Sequence, residues 1–198
     1  MTPGSVCAFV CRKKSEMVHK KIRMVTKMLH IKIRVLLQRC QREFDMSDMP
    51  GDEIISVELP VPLASQEQDQ DQAVNLLKIV DRDVGIFVQL LRGIRDRLYH
   101  SHEPLHKIIL IVLRQLQGLR LLARRRKEML QSAGRVRGRA GGSIKVNARR
   151  SRGQLKNLKN RCSIAEMNEF DFRQQACKIL QKLVEYLEAL HEVLLKPI

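Results

Sequence analysis

Two neighbouring stretches of the sequence carry apolar residues at alternating intervals of three and four, which is the spacing of one face of an α-helix. The first contains Leu77, Val80, Val84, Phe87, Leu91, Ile94 and Leu98, and the second contains Leu105, Ile109, Val112, Leu116, Leu119 and Ala123. Between them, Pro104 suits the first turn of a helix, where its missing N–H group costs no intrahelical bond. The pattern therefore predicts two helices, at 73–100 and 104–131, that fold back on each other as a hairpin.

This hairpin has more apolar surface than two helices can bury. Residues 108–113 are apolar on every side of the helix, which indicates burial on more than one face. Gly85 and Gly93 each weaken the first helix by about 1 kcal/mol relative to Ala, so that helix needs tertiary support. We expect further helices, or an outside partner, to cover the open face of the hairpin.

Two flanking segments supply candidate helices. Residues 15–45 place Val18, Ile22, Val25, Leu29, Ile33, Leu36 and Cys40 on one side of a helix, whereas residues 1–14 are expected to be unstructured. The run Ser163-Ile164-Ala165-Glu166 is a capping-box signature that opens a predicted helix at 164–195. This helix offers Leu180, Leu183, Leu187 and Leu190 for pairing. The predicted fold class is an all-α antiparallel bundle of three to four coiled-coil-like helices.

Charge divides the remainder of the chain, whose formal net charge is +16. Residues 46–72 hold seven acidic residues, three prolines and no Lys or Arg, and are predicted to be an acidic flexible linker. Residues 132–162 hold ten basic residues, five glycines and no acidic residue, and are predicted to be a disordered basic segment. The predicted organisation is a basic amphipathic helix within 1–45, the linker, the central hairpin at 73–131, the basic segment, and a C-terminal helix within 163–198 that completes the bundle.

The basic stretch 124–161 is the strongest functional signal in the sequence. Its side chains could neutralise phosphates of DNA or RNA, or an acidic protein surface, and the alternative is a solvated loop without a ligand. The stretch lacks Phe, Tyr and Trp for stacking on bases, so nucleic-acid contact would be independent of sequence. The candidate contact residues are Arg124, Arg125, Arg126, Lys127, Arg135, Arg137, Arg139, Lys145, Arg149, Arg150, Arg152, Lys156, Lys159 and Arg161.

The sequence offers no convincing catalytic centre and implies no cofactor. His100, His102 and His106 cluster at the hairpin turn and are weak candidates for a metal site, because their spacing matches no standard zinc site. No cysteine has a histidine positioned nearby as a base, and no glycine-rich phosphate loop follows a strand. We therefore expect a protein that is not an enzyme.

The basic helix at 15–45 has three interpretations: a solvated face of a bundle helix, a surface for acidic membranes or nucleic acid, or a mitochondrial targeting segment. The longest purely apolar run has six residues, whereas about 20 are needed to span a bilayer, so no transmembrane segment is expected. Five widely spaced cysteines argue against a disulfide scaffold and favour a reducing compartment. We expect a nuclear location, with the cytoplasm or mitochondria as alternatives.

These observations favour a non-enzymatic interaction protein, a subunit or adaptor that pairs through helices with a helical protein or with itself. The alternative is a nucleic-acid-associated protein whose segment 124–161 contacts phosphates. A weaker alternative is a mitochondrial or membrane-surface protein directed by the helix at 15–45.

Overall fold

A computed structural model describes residues 3–46, 70–98, 103–137, 164 and 167–195, with side chains described for 13–46, 71–98, 103–132, 164 and 167–195. Within these ranges the chain forms four long helices and no strand: α1 (Pro3–Glu43), α2 (Gln70–Leu98), α3 (Glu103–Arg137) and α4 (Glu169–Leu195). The helices pack side by side as a bundle, which confirms the predicted all-α class.

The four helices are arranged as a ring in the order α1, α3, α2, α4. Helix α3 packs against both α1 and α2, and α4 packs closely against α1 and more loosely against α2. The looser α2–α4 side is filled by large side chains, since the ring centroids of Phe87 and Tyr186 lie 5.6 Å apart. Helices α1 and α2 therefore stand on one diagonal of the bundle, and α3 and α4 on the other.

Side-chain contacts fix the direction of each helix. The end of α1 meets the start of α4, where the centroids of Phe44 and Phe172 are 6.3 Å apart. The end of α2 also meets the start of α4, because the guanidinium of Arg97 lies 4.5 Å from the centre of the Phe172 ring. Helices α1 and α2 are therefore parallel, and both run opposite to α3 and α4.

The resulting topology is up-up-down-down, in which two connections must join opposite ends of the bundle. The first of these runs from Met46 to Gln70. A connection of this length can span up to roughly 80 Å when it is fully extended. Helix α2, with 29 residues, is about 44 Å long. The sequence between α1 and α2 is therefore long enough for this order of helices.

The core is built from the apolar repeat that defines the sequence. All seventeen residues named for the apolar repeats of these three helices, from Leu77 in α2 to Leu190 in α4, are at most 2 % exposed. They share one cluster with Ile22, Leu29 and Leu36 of α1. The open face expected for the hairpin is thus covered by α1 and α4 of the same chain, and these positions are used in folding.

Two helix boundaries differ from the prediction. Helix α1 begins at Pro3, so the expectation that residues 1–14 are unstructured is wrong for most of that range. Helix α3 continues to Arg137 and includes the first six residues of the segment predicted to be disordered. Because α1 and α3 are antiparallel, the end of α3 runs beside the start of α1, and Val18, Met129 and Leu130 join the core there. This packing lies just inside the predicted bounds of both helices, next to the two extensions.

The start of the last helix is also different. Helix α4 begins at Glu169, and Asn168 caps it, because the Asn168 side-chain oxygen accepts a hydrogen bond from the Asp171 backbone N–H at 2.8 Å. The Asn168 amide nitrogen also donates to the Asp171 carboxylate at 2.7 Å. The capping box predicted at 163–166 therefore does not open this helix. Instead, Ile164 is buried, and Arg97 donates to its carbonyl at 3.1 Å.

Candidate interaction surface

Five large apolar side chains form a line along α1 on the side that faces away from the core. Each is 48–58 % exposed, whereas the core-facing residues of α1 are buried. Their intervals of seven, four, three and four residues place them on one face of the helix, over a length of about 27 Å. We call this line the α1 ridge; it consists of Met17, Met24, Met28, Ile31 and Val35.

Two rows of basic side chains flank the α1 ridge. At 100° per residue, Lys20, Lys27 and Arg34 follow one edge at intervals of seven, and all three are exposed. The other edge carries four more basic side chains, of which Lys32 is half-buried and the rest are exposed: Lys14, Lys21, Lys32 and Arg39. The α1 ridge is therefore an apolar strip between two cationic margins.

Few local charges neutralise these margins. Glu16 and Glu43 are the acidic residues of α1, and Arg39 pairs with Glu43 at 3.4 Å. Lys20, Lys21, Lys27 and Arg34 form no ion pair with another residue in the described part of the chain. The positive potential is thus available to an outside group.

The chemistry of the α1 ridge suits a protein surface that is apolar at its centre and acidic at its edges. Methionine side chains are flexible and polarizable, and therefore adapt to an apolar partner. Exposed ion pairs contribute only about 0–1 kcal/mol each, so the apolar strip would supply most of the affinity and the charges would set orientation. Exposed apolar patches rimmed by polar residues are typical of protein interfaces.

The prediction of a basic amphipathic helix at 15–45 did not include the α1 ridge. The signal was present as a second apolar line, Met24, Met28, Ile31 and Val35, about 140° from the core stripe. Basic residues outnumber these four apolar residues in the segment. A prediction based on the net charge of the segment therefore overlooks the apolar line.

The basic residues predicted to contact nucleic acid lie in different environments. Arg125 is exposed, Lys127 is half-buried, and Arg124 binds an acidic residue of α2. Arg126 is only 5 % exposed and points into the bundle. Arg135 and Arg137 lie in the last turns of α3, outside the described side chains. The others lie outside the described residues: Arg139, Lys145, Arg149, Arg150, Arg152, Lys156, Lys159 and Arg161.

Arg124 belongs to a charged clamp between α2 and α3. Its Nε donates to the Asp81 carboxylate at 2.9 Å, and Arg120 Nε donates to the other carboxylate oxygen at 3.0 Å and to the Asp81 carbonyl at 3.1 Å. Burial alone would raise the pKa of Asp81, but the bonds from Arg124 and Arg120 outweigh it and leave that pKa below its usual value. Arg124 and Arg120 therefore link α3 to α2 through Asp81.

Arg126 lies against His19 of α1. Its guanidinium meets His19 Nδ1, no carboxylate of the described residues pairs with it, and its Nε finds no hydrogen-bond partner among them. Burial lowers the pKa of Arg126 to about 10. Burial, followed by the charges of Arg126 and Arg23, lowers the pKa of His19 to about 4. The pair is therefore a buried cation beside a neutral imidazole.

The histidine cluster does not assemble a metal site in the described part of the chain. His106 lies on α3 beside Arg95, Asp96 and Leu110 at a shallow surface pocket, while His100 and His102 lie outside the described residues. Among the residues that the structure describes, three or more His, Cys, Asp or Glu nowhere converge as metal ligands.

None of the described helices combines the length and the hydropathy needed to cross a membrane. No protein-family model matches this chain, and neither the curated proteins nor the solved structures gave a significant match.

Proposed function

We propose that this chain is a non-enzymatic interaction protein whose bundle presents the α1 ridge to a partner protein. The observation that carries the proposal is the exposed apolar line from Met17 to Val35 between two basic rows. The partner surface that complements it has apolar side chains edged by Asp and Glu. Such a surface complements both the apolar strip and the cations of Lys20, Lys21, Lys27 and Arg34, which form no ion pair within the described residues.

The architecture supports a binding role. The predicted helix-pairing residues are buried in the core of the chain's own bundle. A partner would therefore dock onto the folded bundle rather than supply a missing helix. Because one fold serves many functions, the bundle topology itself names no partner, and the proposal depends on the α1 ridge.

Affinity capture from cells, with and without nuclease, tests the proposal. The baits are the wild-type chain, the triple variant Met24→Gln/Met28→Gln/Ile31→Gln, and Leu121→Gln as a matched control. Leu121 is an exposed apolar residue of α3 outside the ridge. We expect one nuclease-resistant protein, rich in surface carboxylates, whose retention falls at least about tenfold with the triple variant.

The control should retain that protein at the wild-type level. Equal retention by all three baits would exclude the α1 ridge as the binding surface. Circular dichroism of each bait separates lost binding from lost folding, since the three substituted side chains are exposed and should leave the helix content unchanged.

A second candidate function is sequence-independent binding of nucleic acid by the stretch 124–161, with nuclear localisation. The net charge of +16 and the exposed Arg125 favour it. It predicts retention on DNA or RNA that disappears between low and moderate salt, as expected for counterion release. Replacing Arg149, Arg150 and Arg152 with Gln should weaken that retention, and unchanged binding would exclude this function.

A further inference from the structure

Two buried cysteines face the same interface of the bundle. Cys40 of α1 and Cys177 of α4 are both fully buried, and α1 and α4 are in close contact. On either sequence segment alone each cysteine reads as a small apolar residue of a helix face. Only the packing of α1 against α4 shows that the two cysteines belong to the same interface.

The register of the two helices places these cysteines opposite each other. The rings of Phe44 and Phe172 are in contact, and the Arg173 guanidinium lies 5.7 Å from the centre of the Phe44 ring. In an antiparallel pair, one turn backward along α1 corresponds to one turn forward along α4. That step leads from Phe44 to Cys40 and from Phe172 or Arg173 to Cys177.

The environment keeps both thiols protonated in the folded protein. Burial raises the pKa of Cys40, and the neighbouring Cys177 and the charge of Glu43 raise it further. Burial likewise raises the pKa of Cys177 to about 11. Because the thiolate is the reactive form, the sulfurs are unreactive inside the closed bundle and react while α1 and α4 are apart.

From this register we infer that Cys40 and Cys177 are a disulfide-forming pair that fastens α1 to α4 in an oxidising environment. The thiolate of one cysteine attacks a small-molecule disulfide such as oxidised glutathione and displaces one glutathione thiolate. The second cysteine thiolate then attacks the protein sulfur of the mixed disulfide and displaces the other. The two thiols lose two protons and two electrons in all, and the oxidant becomes two thiols.

The link would enclose the entire α2–α3 hairpin. Residues 40–177 form a long loop, and closing a long loop restricts the unfolded chain strongly. The inference does not depend on the α1 ridge, because both sulfurs lie in the core. The expectation of a reducing compartment, which rested on the number and spacing of the cysteines, stays a prediction, because the link forms only where an oxidant is present.

Refolding with only this pair present tests the inference. The full chain with Cys7→Ser, Cys11→Ser and Cys162→Ser is reduced, unfolded and refolded in a buffer of reduced and oxidised glutathione. After alkylation and digestion, mass spectrometry should find the Cys40 and Cys177 peptides linked, about 2 Da lighter than the two free thiol peptides together. The melting temperature should fall by about 5–15 °C on reduction with dithiothreitol.

A control with Cys40→Ala and Cys177→Ala in the same background should show no fall on reduction. The inference is overturned if both cysteines are alkylated after refolding, if they carry only glutathione, or if they link separate chains. If the triple serine background does not regain its helix content, peptide mapping of the wild-type chain gives the same decision.

Discussion

At the scale of single residues, the run from Arg124 to Lys127 shows that adjacent identical charges have unrelated roles. Arg124 binds Asp81, Arg125 is exposed, and Arg126 is buried. The position of Arg126 has a signal in the sequence, because it continues the 3-4 repeat of Leu116, Leu119 and Ala123. Its charge concealed that signal, since buried arginines are rare.

Acid should destabilise the fold through His19. Its folded pKa of about 4 lies below the value of about 6.5 in an unfolded chain, so the unfolded state binds more protons between these two values. Stability should therefore be complete above pH 6.5 and fall as the pH drops towards 4. The charges that face His19 are Arg126 from α3 and Arg23 from α1, and the Leu194 backbone of α4 offers a hydrogen bond that opposes them.

Replacing Arg126 with Met tests this directly. The change removes the buried charge, so the pKa of His19 should rise and the acid sensitivity should decrease. Stability at pH 7 should be unchanged or higher, because an unpaired buried cation is removed. NMR titration of His19 and urea unfolding at pH 7 and 5 measure both effects, and a His19 pKa near 6.5 in the wild-type chain would contradict this account.

The clamp at Asp81 gives a second prediction at this scale. Asp81→Asn removes the charge that Arg120 and Arg124 share in a partly buried site, and should lower the free energy of unfolding by about 1–2 kcal/mol. Glu188→Gln, at an exposed position of α4, should change it by less than about 0.5 kcal/mol. Equal effects in urea unfolding would show that the clamp does not stabilise the hairpin.

At the scale of elements, the N-cap of α4 differs between prediction and structure. The sequence predicts a capping box that begins at Ser163, whereas the structure has Asn168 as the cap. Asn168→Ala should cost about 1 kcal/mol, because the Asp171 N–H loses its acceptor. Ser163→Ala should have little effect if Asn168 is the cap. Thermal unfolding of the two variants decides, and a larger loss for Ser163→Ala would restore the capping box at 163–166.

Two helix glycines, Gly118 and Gly85, allow the effect of the same substitution on stability to be compared within one protein. A Cβ at Gly118 meets nothing within 4 Å, so Gly118→Ala should stabilise α3 by about 0.5–1 kcal/mol. At Gly85 a Cβ would lie 3.1 Å from the Arg120 guanidinium carbon and must displace that side chain. Gly85→Ala should therefore give a smaller gain or a loss. Denaturant unfolding of both variants measures the difference, and equal gains would contradict the close contact at Gly85.

At the scale of the whole molecule, the apolar repeat was sufficient to predict a helical bundle, but not its topology. Positions such as Leu91 and Leu116 are predictably buried, because a helix places every third or fourth residue on one face. Which helices stand next to each other depends on contacts such as Phe44 with Phe172, between residues far apart in sequence. The cap at Asn168 could not be predicted either, because Ser163 and Asn168 are both polar residues that suit the N-cap position of α4.

The same limit applies to the candidate surface. Outward residues such as Met28 and Ile31 form a meaningful line only once the core side of α1 is known. Burial also removes Arg126 from the surface that charge alone suggested. The central claim is therefore that the α1 ridge, rather than the apolar repeat of the central hairpin, is the binding surface.

Site-specific photo-crosslinking in cells tests this claim most directly. A photoreactive residue is placed either at position 28, within the α1 ridge, or at position 78, which is exposed on the diagonally opposite helix α2. We predict one carboxylate-rich protein crosslinked from position 28 only, and loss of that product when Met24 and Ile31 are replaced with Gln. The same products from both positions, or a product indifferent to those two substitutions, would contradict the claim.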